Sequence, residues 1–310
     1  MADIKINGAT PSAFYVGSTS ASAVYYGSTQ LWPSTPPAPV LPSNTIRCKF
    51  SAGYTPAMGN SQTLVDADEN IWDIYKSGTD WSSLFKNNTS LETIIAANTT
   101  GVTDMNSMLR GCTNLTAVSL FDTSSVVEMH NMLDACSSLT TVPLFNTSAA
   151  TNMNSMFSNC TYLTTVPLFN TSSVTNMGYM FYQCGRLTTV PLFDTSSLTF
   201  ATGMFYNCKN LSAAPLFDTS AVTAMGSMFY GCKGLTSVPL FDTSSATNMD
   251  SMFNGCIAVE SGALALYQQA STQTTPPTYH SNTFTNCGAY TTAGAAELAL
   301  IPSSWGGTGS

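Results

Sequence analysis

Leu163-Thr164-Thr165-Val166-Pro167-Leu168-Phe169-Asn170-Thr171-Ser172-Ser173-Val174-Thr175-Asn176-Met177-Gly178-Tyr179-Met180-Phe181-Tyr182-Gln183-Cys184 is one copy of a unit that recurs every 24 residues. Cysteine sets the period: Cys112, Cys136, Cys160, Cys184, Cys208, Cys232 and Cys256 are each 24 apart. Met108, Met132, Met156, Met180, Met204, Met228 and Met252 keep the same spacing, as do Leu115 to Leu235 with Val259 closing the column. Columns this regular mark a stack of like units, in which each coil buries its apolar face against its neighbours.

The unit reads as two halves. Leu163, Val166 and Leu168 follow a short strand with one buried face, and the Asn170-Thr-Ser-Ser stretch turns the chain. Val174, Met177, Phe181 and Cys184 are spaced as one face of a helical turn. A parallel strand plus a helical turn per coil predicts an α/β solenoid of leucine-rich-repeat type over residues 81–260. Strict alternation would turn Leu168 inward and Phe169 outward. The preferred reading swings the column Phe121, Phe145, Phe169, Phe193, Phe217, Phe241 back under the turn as a second core layer. The prolines at 143, 167, 191, 215 and 239 donate no backbone hydrogen bond, so each strand should pair over only two or three residues.

The repeat pattern Met-Phe-x-x-Cys-x-x-Leu-x-x-Val-x-Leu-Phe-Asp-Thr-Ser-x-Val-Thr-x-Met resembles the BspA-like leucine-rich repeats of bacterial, mycoplasmal and phage surface proteins. That resemblance implies a right-handed solenoid and a surface or adhesion role.

Outside the array, Trp81, Leu84, Leu91 and Ile94 fall on repeat columns with Asn88 in the Cys place, a degenerate first coil. Residues 44–80 are expected to cap it, with Thr45–Phe50 a strand and Ile71–Tyr75 a short helix whose N-terminus carries Asp66, Asp68 and Glu69. Residues 261–310 hold the other cap: a helix at Gly262–Ala270, then Thr283-Phe284-Thr-Asn-Cys287 as a last coil, 31 rather than 24 residues after Cys256. Leu298 to Trp305 would finish this lid. Residues 1–33 form a small β module in which Phe14-Tyr-Val-Gly-Ser-Thr recurs as Val24-Tyr-Tyr-Gly-Ser-Thr, and residues 34–43 are a Pro-rich spacer. Such a module is too small for a core of its own and needs a partner or an oligomer. Phe14, Tyr15, Tyr25, Tyr26 and Trp32 are its docking candidates. Its pattern is similar to N-terminal segments of phage virion proteins, which implies docking to other virion proteins.

Charged residues make up 8% of the chain against roughly 25% in ordinary soluble domains, with a net charge of −8 and no basic cluster. A nucleic-acid partner is therefore not expected. Met1-Ala-Asp-Ile-Lys-Ile6 does not read as a secretory signal, and no stretch approaches the ~20 apolar residues of a membrane span. The Cys column reads as buried thiols rather than metal ligands. The column Asp122, Asn146, Asn170, Asp194, Asp218, Asp242 reads as turn caps, because Asn substitutes freely for Asp. With only His130 and His280, no phosphate loop and no nucleophile elbow, no catalytic residue, metal or cofactor is expected. Aromatics on a weakly charged surface suit sugars, which selects Tyr182, Tyr206 and Tyr230 in one column and Tyr162, Tyr179 and Phe200 beside it. The expectation is a virion fibre or receptor-binding element that presents the solenoid to a host-surface glycan or protein. A head fibre or capsid decoration protein, and a bacterial surface adhesin, are the alternatives.

Overall fold

Ile46, Cys48 and Phe50 alternate with polar residues and are all buried, so Thr45–Phe50 folds as a half-buried strand. It is the third of seven strands in a computed structural model that describes residues 24–26, 29–32, 41–56 and 61–310. Residues 1–41 and 42–310 are separate units. In the first, β1 (Val24–Tyr26) pairs antiparallel with β2 (Thr29–Trp32), Tyr26 opposite Thr29. Tyr25, Tyr26 and Trp32 lie on these strands; Phe14, Tyr15 and spacer residues 34–40 fall outside the described residues.

The larger unit opens with a five-stranded sheet in the order β4 (Ser61–Asp66), β5 (Ile71–Tyr75), β3 (Thr45–Phe50), β6 (Leu91–Asn98), β7 (Ala117–Val118). Ile71–Tyr75 is thus a strand and not the expected helix. Its Ile, Trp and Tyr favour extended backbone, and it pairs with β3 on one side and β4 on the other. The acidic cluster builds the intervening turn, Asp66 Oδ1 accepting from the N–H groups of Asp68 and Glu69 at 3.0 Å each. Pairing is antiparallel as far as β6, which then runs parallel to β7. That change of direction starts the solenoid.

The first coil is where its residues placed it. Trp81, Phe85, Leu91 and Ile94 are buried, and the N–H groups of Trp81, Ser83, Phe85 and Asn87 reach carbonyls of Asp104, Asn106, Met108 and Arg110 in the next coil. The helical turn, however, is not a helix. From Met105 onward the N–H groups alternate. Those of Met105, Ser107, Leu109 and Gly111 cross to Glu128, His130, Met132 and Asp134 at 2.7–3.0 Å. Those of Met108, Arg110 and Cys112 close on the carbonyl three residues back. Sending every second N–H to a neighbouring coil requires left-handed φ every fourth residue, as at Ser107 (55°) and Gly111 (74°), or Tyr179 (56°) and Gln183 (58°). The same side-chain face results from a run of turns.

The strand half is also shorter than expected. Past β7, parallel pairing survives as single bridges, Asp104 to Glu128 to Asn152 to Asn176 to Phe200 to Ala224 to Asn248, ahead of the first Met column. At the prolines the chain makes a three-residue turn, the N–H of Phe145 closing on the Pro143 carbonyl at 2.9 Å, and likewise Phe217 on Pro215 and Phe241 on Pro239 at 3.0 Å. The middle residue of each turn, Leu144, Leu216 or Leu240, points outward and the following Phe points in. Phe169 is 2% exposed and Leu168 is 59% exposed, so the Phe column is the second core layer and Leu168 does not join the buried face.

Two columns of phenylalanine run through this core. Phe157, Phe181, Phe205, Phe229, Phe253 and Phe284 stack with centroids 5.2–6.1 Å apart, and Phe169, Phe193 and Phe217 stack beside them at 6.3–6.4 Å. All nine cysteines are free and buried. Each repeat thiol also donates to a carbonyl of the preceding coil at 3.0–3.2 Å, Cys184 to Phe157 and Cys208 to Phe181 among them. Burial pushes every thiol pKa up, that of Cys112 to about 12.

At the far end α1 (Ala263–Ser271) leaves the stack where a helix was expected. The last coil then resumes, with Met249, Phe253 and Gly255 donating to Tyr279, Thr283 and Thr285, seven residues beyond the regular register. A second helix, α2 (Thr292–Leu298), and the turn at Ser303–Trp305 close the core with buried Leu298, Ile301 and Trp305. The Glu297 carboxylate on α2 accepts from the N–H groups of Gly262 and Leu264, satisfying the start of α1.

Candidate functional site

The column two residues before each cysteine changes character along the stack: Arg110, then buried Asp134 and Ser158, then half-buried Tyr182, Tyr206 and Tyr230, then Asn254. Its residues sit one rung apart, so aromatic rings there must stack. Tyr182 and Tyr206 lie 4.9 Å apart at 25°, Tyr206 and Tyr230 4.5 Å apart at 3°. Tyr179 meets Tyr182 edge-on at 5.9 Å. It reaches over Gly203, where a Cβ would come within 2.5 Å of its ring, so the aromatic cluster depends on glycine at that position. Packing in the stack and the neighbouring phenols raise the Tyr206 pKa.

The six expected aromatic residues therefore fall into three places. Tyr179, Tyr182, Tyr206 and Tyr230 form one cluster. Phe200 covers Gly178, and Tyr162 lies under the guanidinium of Arg186 at 4.0 Å. Stacking also changes what the cluster can do. Both faces of Tyr206 are covered by tyrosines, so a sugar ring has no access to them. The face of Tyr230 turned away from Tyr206 looks toward the coil that supplies Asn254, and there a cleft opens.

This cleft, about 460 Å³, is lined by Asn207, Tyr230, Gly231, Lys233, Asn254, Gly255, Ile257, Asn286 and Tyr290. Glycine clears the space: Gly231 and Gly255 take a column that holds Asn159, Gln183 and Asn207 in earlier coils. A Cβ at Gly231 would come 2.2 Å from Asn207 Oδ1. Tyr290, 81% exposed, stands on the loop before α2. The site thus offers phenol rings, three side-chain amides and one amine around a concave surface. Its size and donor set fit one or two sugar residues. Neither Tyr290 nor the cleft was read from the sequence, because Tyr290 lies outside the period. The change from Asn207 to Gly231 and Gly255 was the available signal.

Other candidates resolve into structure. Asp122, Asn146, Asn170, Asp194 and Asp218 each accept from the N–H and hydroxyl of the serine two residues on, and Asp242 from its N–H, so the column is a row of turn caps. Those serine hydrogen bonds hold the Asp194 and Asp218 carboxyls below the usual range. His280 stacks on Trp305 at 4.1 Å, and His130 Nδ1 lies 3.1 Å from Glu128. Among the described residues, no group of three or more His, Cys, Asp or Glu side chains is placed to hold a metal ion, and no helix is long and apolar enough to cross a membrane.

Residues 79–190, 141–233 and 212–291 match the family described as "Mycoplasma protein of unknown function, DUF285", together more than half of the chain. Among solved structures, a leucine-rich repeat protein from Eubacterium ventriosum ATCC 27560 shares 18% identity over 53% of this chain, with a TM-score of 0.31. This chain spans 45% of that protein's length. A leucine-rich repeat protein from Bacteroides ovatus ATCC 8483 shares 15% identity over 68% of this chain and 80% of its own, with a TM-score of 0.22. No curated protein matches the chain.

Proposed function

We propose that this chain, which belongs to the DUF285 family, is a non-catalytic adhesion protein that holds an oligosaccharide in the cleft at the end of its tyrosine stack. The observation that carries the reading is a cleft lined by Tyr230, whose other face is stacked on Tyr206, and by an exposed Tyr290, together with the amides of Asn207, Asn254 and Asn286. Sugar rings pack their C–H faces on such aromatics and pair their hydroxyls with amides. Glycoside hydrolysis would instead call for two carboxylates across a bond, whereas the groups lining this cleft are amides, phenols and an amine. The setting proposed for this activity is a virion fibre. Its support is the Tyr-x-Gly-Ser-Thr pattern of residues 1–33, which would dock the fibre to the particle.

A glycan array with the full chain, followed by calorimetry on the best binder, tests the reading. Tyr230→Ala and Tyr290→Ala should each weaken binding at least about tenfold, equivalent to 1.4 kcal/mol, while Tyr162→Ala leaves it unchanged. Binding that survives both cleft variants would remove the cleft from the account. Deleting residues 1–33 should abolish incorporation into particles without changing glycan affinity; unchanged incorporation would overturn the virion setting.

A further inference from the structure

Leu120, Leu144, Leu168, Leu192, Leu216 and Leu240 are each 56–63% exposed and occupy one column. Half-buried Val142, Val166, Val190 and Ala214, with the neighbouring prolines, widen that column into a continuous apolar stripe. It is bordered on one side by Thr140, Thr164, Thr188 and Thr236, and on the other by the Asn/Asp caps. No charged side chain interrupts residues 140–144, 164–168, 188–192, 212–216 or 236–240. Scattered leucines on a surface need no explanation, but a patch of this kind is beyond what a monomer usually leaves in water.

We propose that the leucine stripe is the contact face for a second copy of this chain, so that two solenoids pack stripe to stripe. Three observations select a second copy over a foreign partner. The first is extent: six leucines, each more than half exposed, run with their valine neighbours across six successive coils, a continuous apolar face of the kind that an interface of about 800 Å² per partner needs. The second is period. Rungs recur about every 4.8 Å, and interdigitating the leucines requires an opposing surface with the same repeat. Another copy has it by construction, and a two-fold pair needs only one self-complementary patch. The third is charge, because the stripe itself carries none, so the centre of a paired contact brings no like charges together despite the net charge of −8, and the Asp caps stay at its rim. The inference is independent of the glycan cleft, which uses other columns.

Sedimentation velocity on the full chain tests it. The wild type should self-associate at micromolar concentration, and the double variant Leu168→Asp with Leu192→Asp should weaken that association at least about 100-fold. Both positions are solvent-facing, so the thermal unfolding midpoint of the diluted variant should match that of the diluted wild type, which separates lost pairing from lost folding. A wild type that stays monomeric at about 50 µM, or an association unchanged by the two aspartates, would overturn the proposal.

Discussion

The cysteine column and the column two residues before it lie side by side along the same coils, and they behave oppositely. The inner one is Cys without exception from Cys112 to Cys256; the outer one passes through Arg110, Asp134, Ser158, three tyrosines and Asn254. Inside, each side chain has two tasks, filling a fixed volume and donating to a carbonyl of the previous coil, and a small thiol meets both while behaving as a hydrophobe. In the neighbouring column, the backbone completes its own hydrogen bonds whatever the side chain, so the residue type is free to change from coil to coil. In this architecture stability resides in columns that do not vary, and the proposed binding cleft opens where a column changes.

Alkaline titration should break the inner column first and with the largest effect. Burial raises the pKa of all nine thiols above an ordinary value near 9. A group raised on folding contributes its full stability below the unfolded pKa and loses it as pH climbs toward the folded value. The loss therefore begins near pH 9 and continues past 10. Cys112, pushed up to about 12, forfeits on the order of 1 kcal/mol for each pH unit above about 9, and the other eight buried thiols lose stability in the same direction over the same range. Circular dichroism should show cooperative unfolding between pH 9 and 10.5 or thereabouts, and a thiol reagent should react at pH 8 only once denaturant is added. Rapid labelling of the native protein at pH 8 would refute the closed ladder.

Adjacent residues give a sharper comparison at smaller energies. Phe205 is fully buried, stacked between Phe181 and Phe229 and against Phe217, so Phe205→Ala should cost about 3–5 kcal/mol in urea unfolding. Tyr206, one residue on, is half-buried between Tyr182 and Tyr230, and Tyr206→Ala should cost about 1 kcal/mol. It should also leave glycan affinity within about threefold, because its faces are already covered. If Tyr206→Ala abolished binding, the site would be the stack itself rather than the cleft at its end.

The same contrast explains what could be read without coordinates. Inner columns were legible because burial imposes a residue type at a fixed spacing, which also exposed the seven-residue insertion before Phe284. The α1 segment was legible for the ordinary reason that Ala263-Leu-Ala-Leu favours helix. Backbone direction was not. Spacing such as Met177, Phe181, Cys184 is common to a helix and to a run of turns, and the difference lies in the sign of φ at Tyr179 and Gln183, residues whose types do not announce it. Pro167 was visible in the sequence, but the turn that sends Leu168 outward depends on where the next N–H closes. Ile71–Tyr75 reads as a helix in the sequence because its pairing with β3 is remote and the acidic hairpin turn that joins it to β4 passes for a helix N-terminus. The cleft needed both the glycine substitutions at one column and a tyrosine from beyond the repeats.

One inner column has a rung, Thr195, whose hydroxyl has no hydrogen-bond partner, and it offers the finest test of the rule. Thr123, Thr147, Thr171 and Thr219 are buried, and their hydroxyls donate to the carbonyls of Asn146, Asn170, Asp194 and Asp242 in the next coil at 2.6–2.8 Å. Thr195 sits on the next rung after Thr171, equally buried, but its Oγ1 has no partner. Replacing a donor with a methyl leaves a carbonyl unsatisfied in the first case and removes an orphan hydroxyl in the second. Thr171→Val should therefore destabilise by about 1–2 kcal/mol, and Thr195→Val should be neutral or stabilising by up to about 1 kcal/mol. Because the two positions share column, burial and neighbours, packing terms cancel between them and urea midpoints compare the hydrogen bonds alone. Equal losses at both would mean that shape, not donation, keeps threonine in the column.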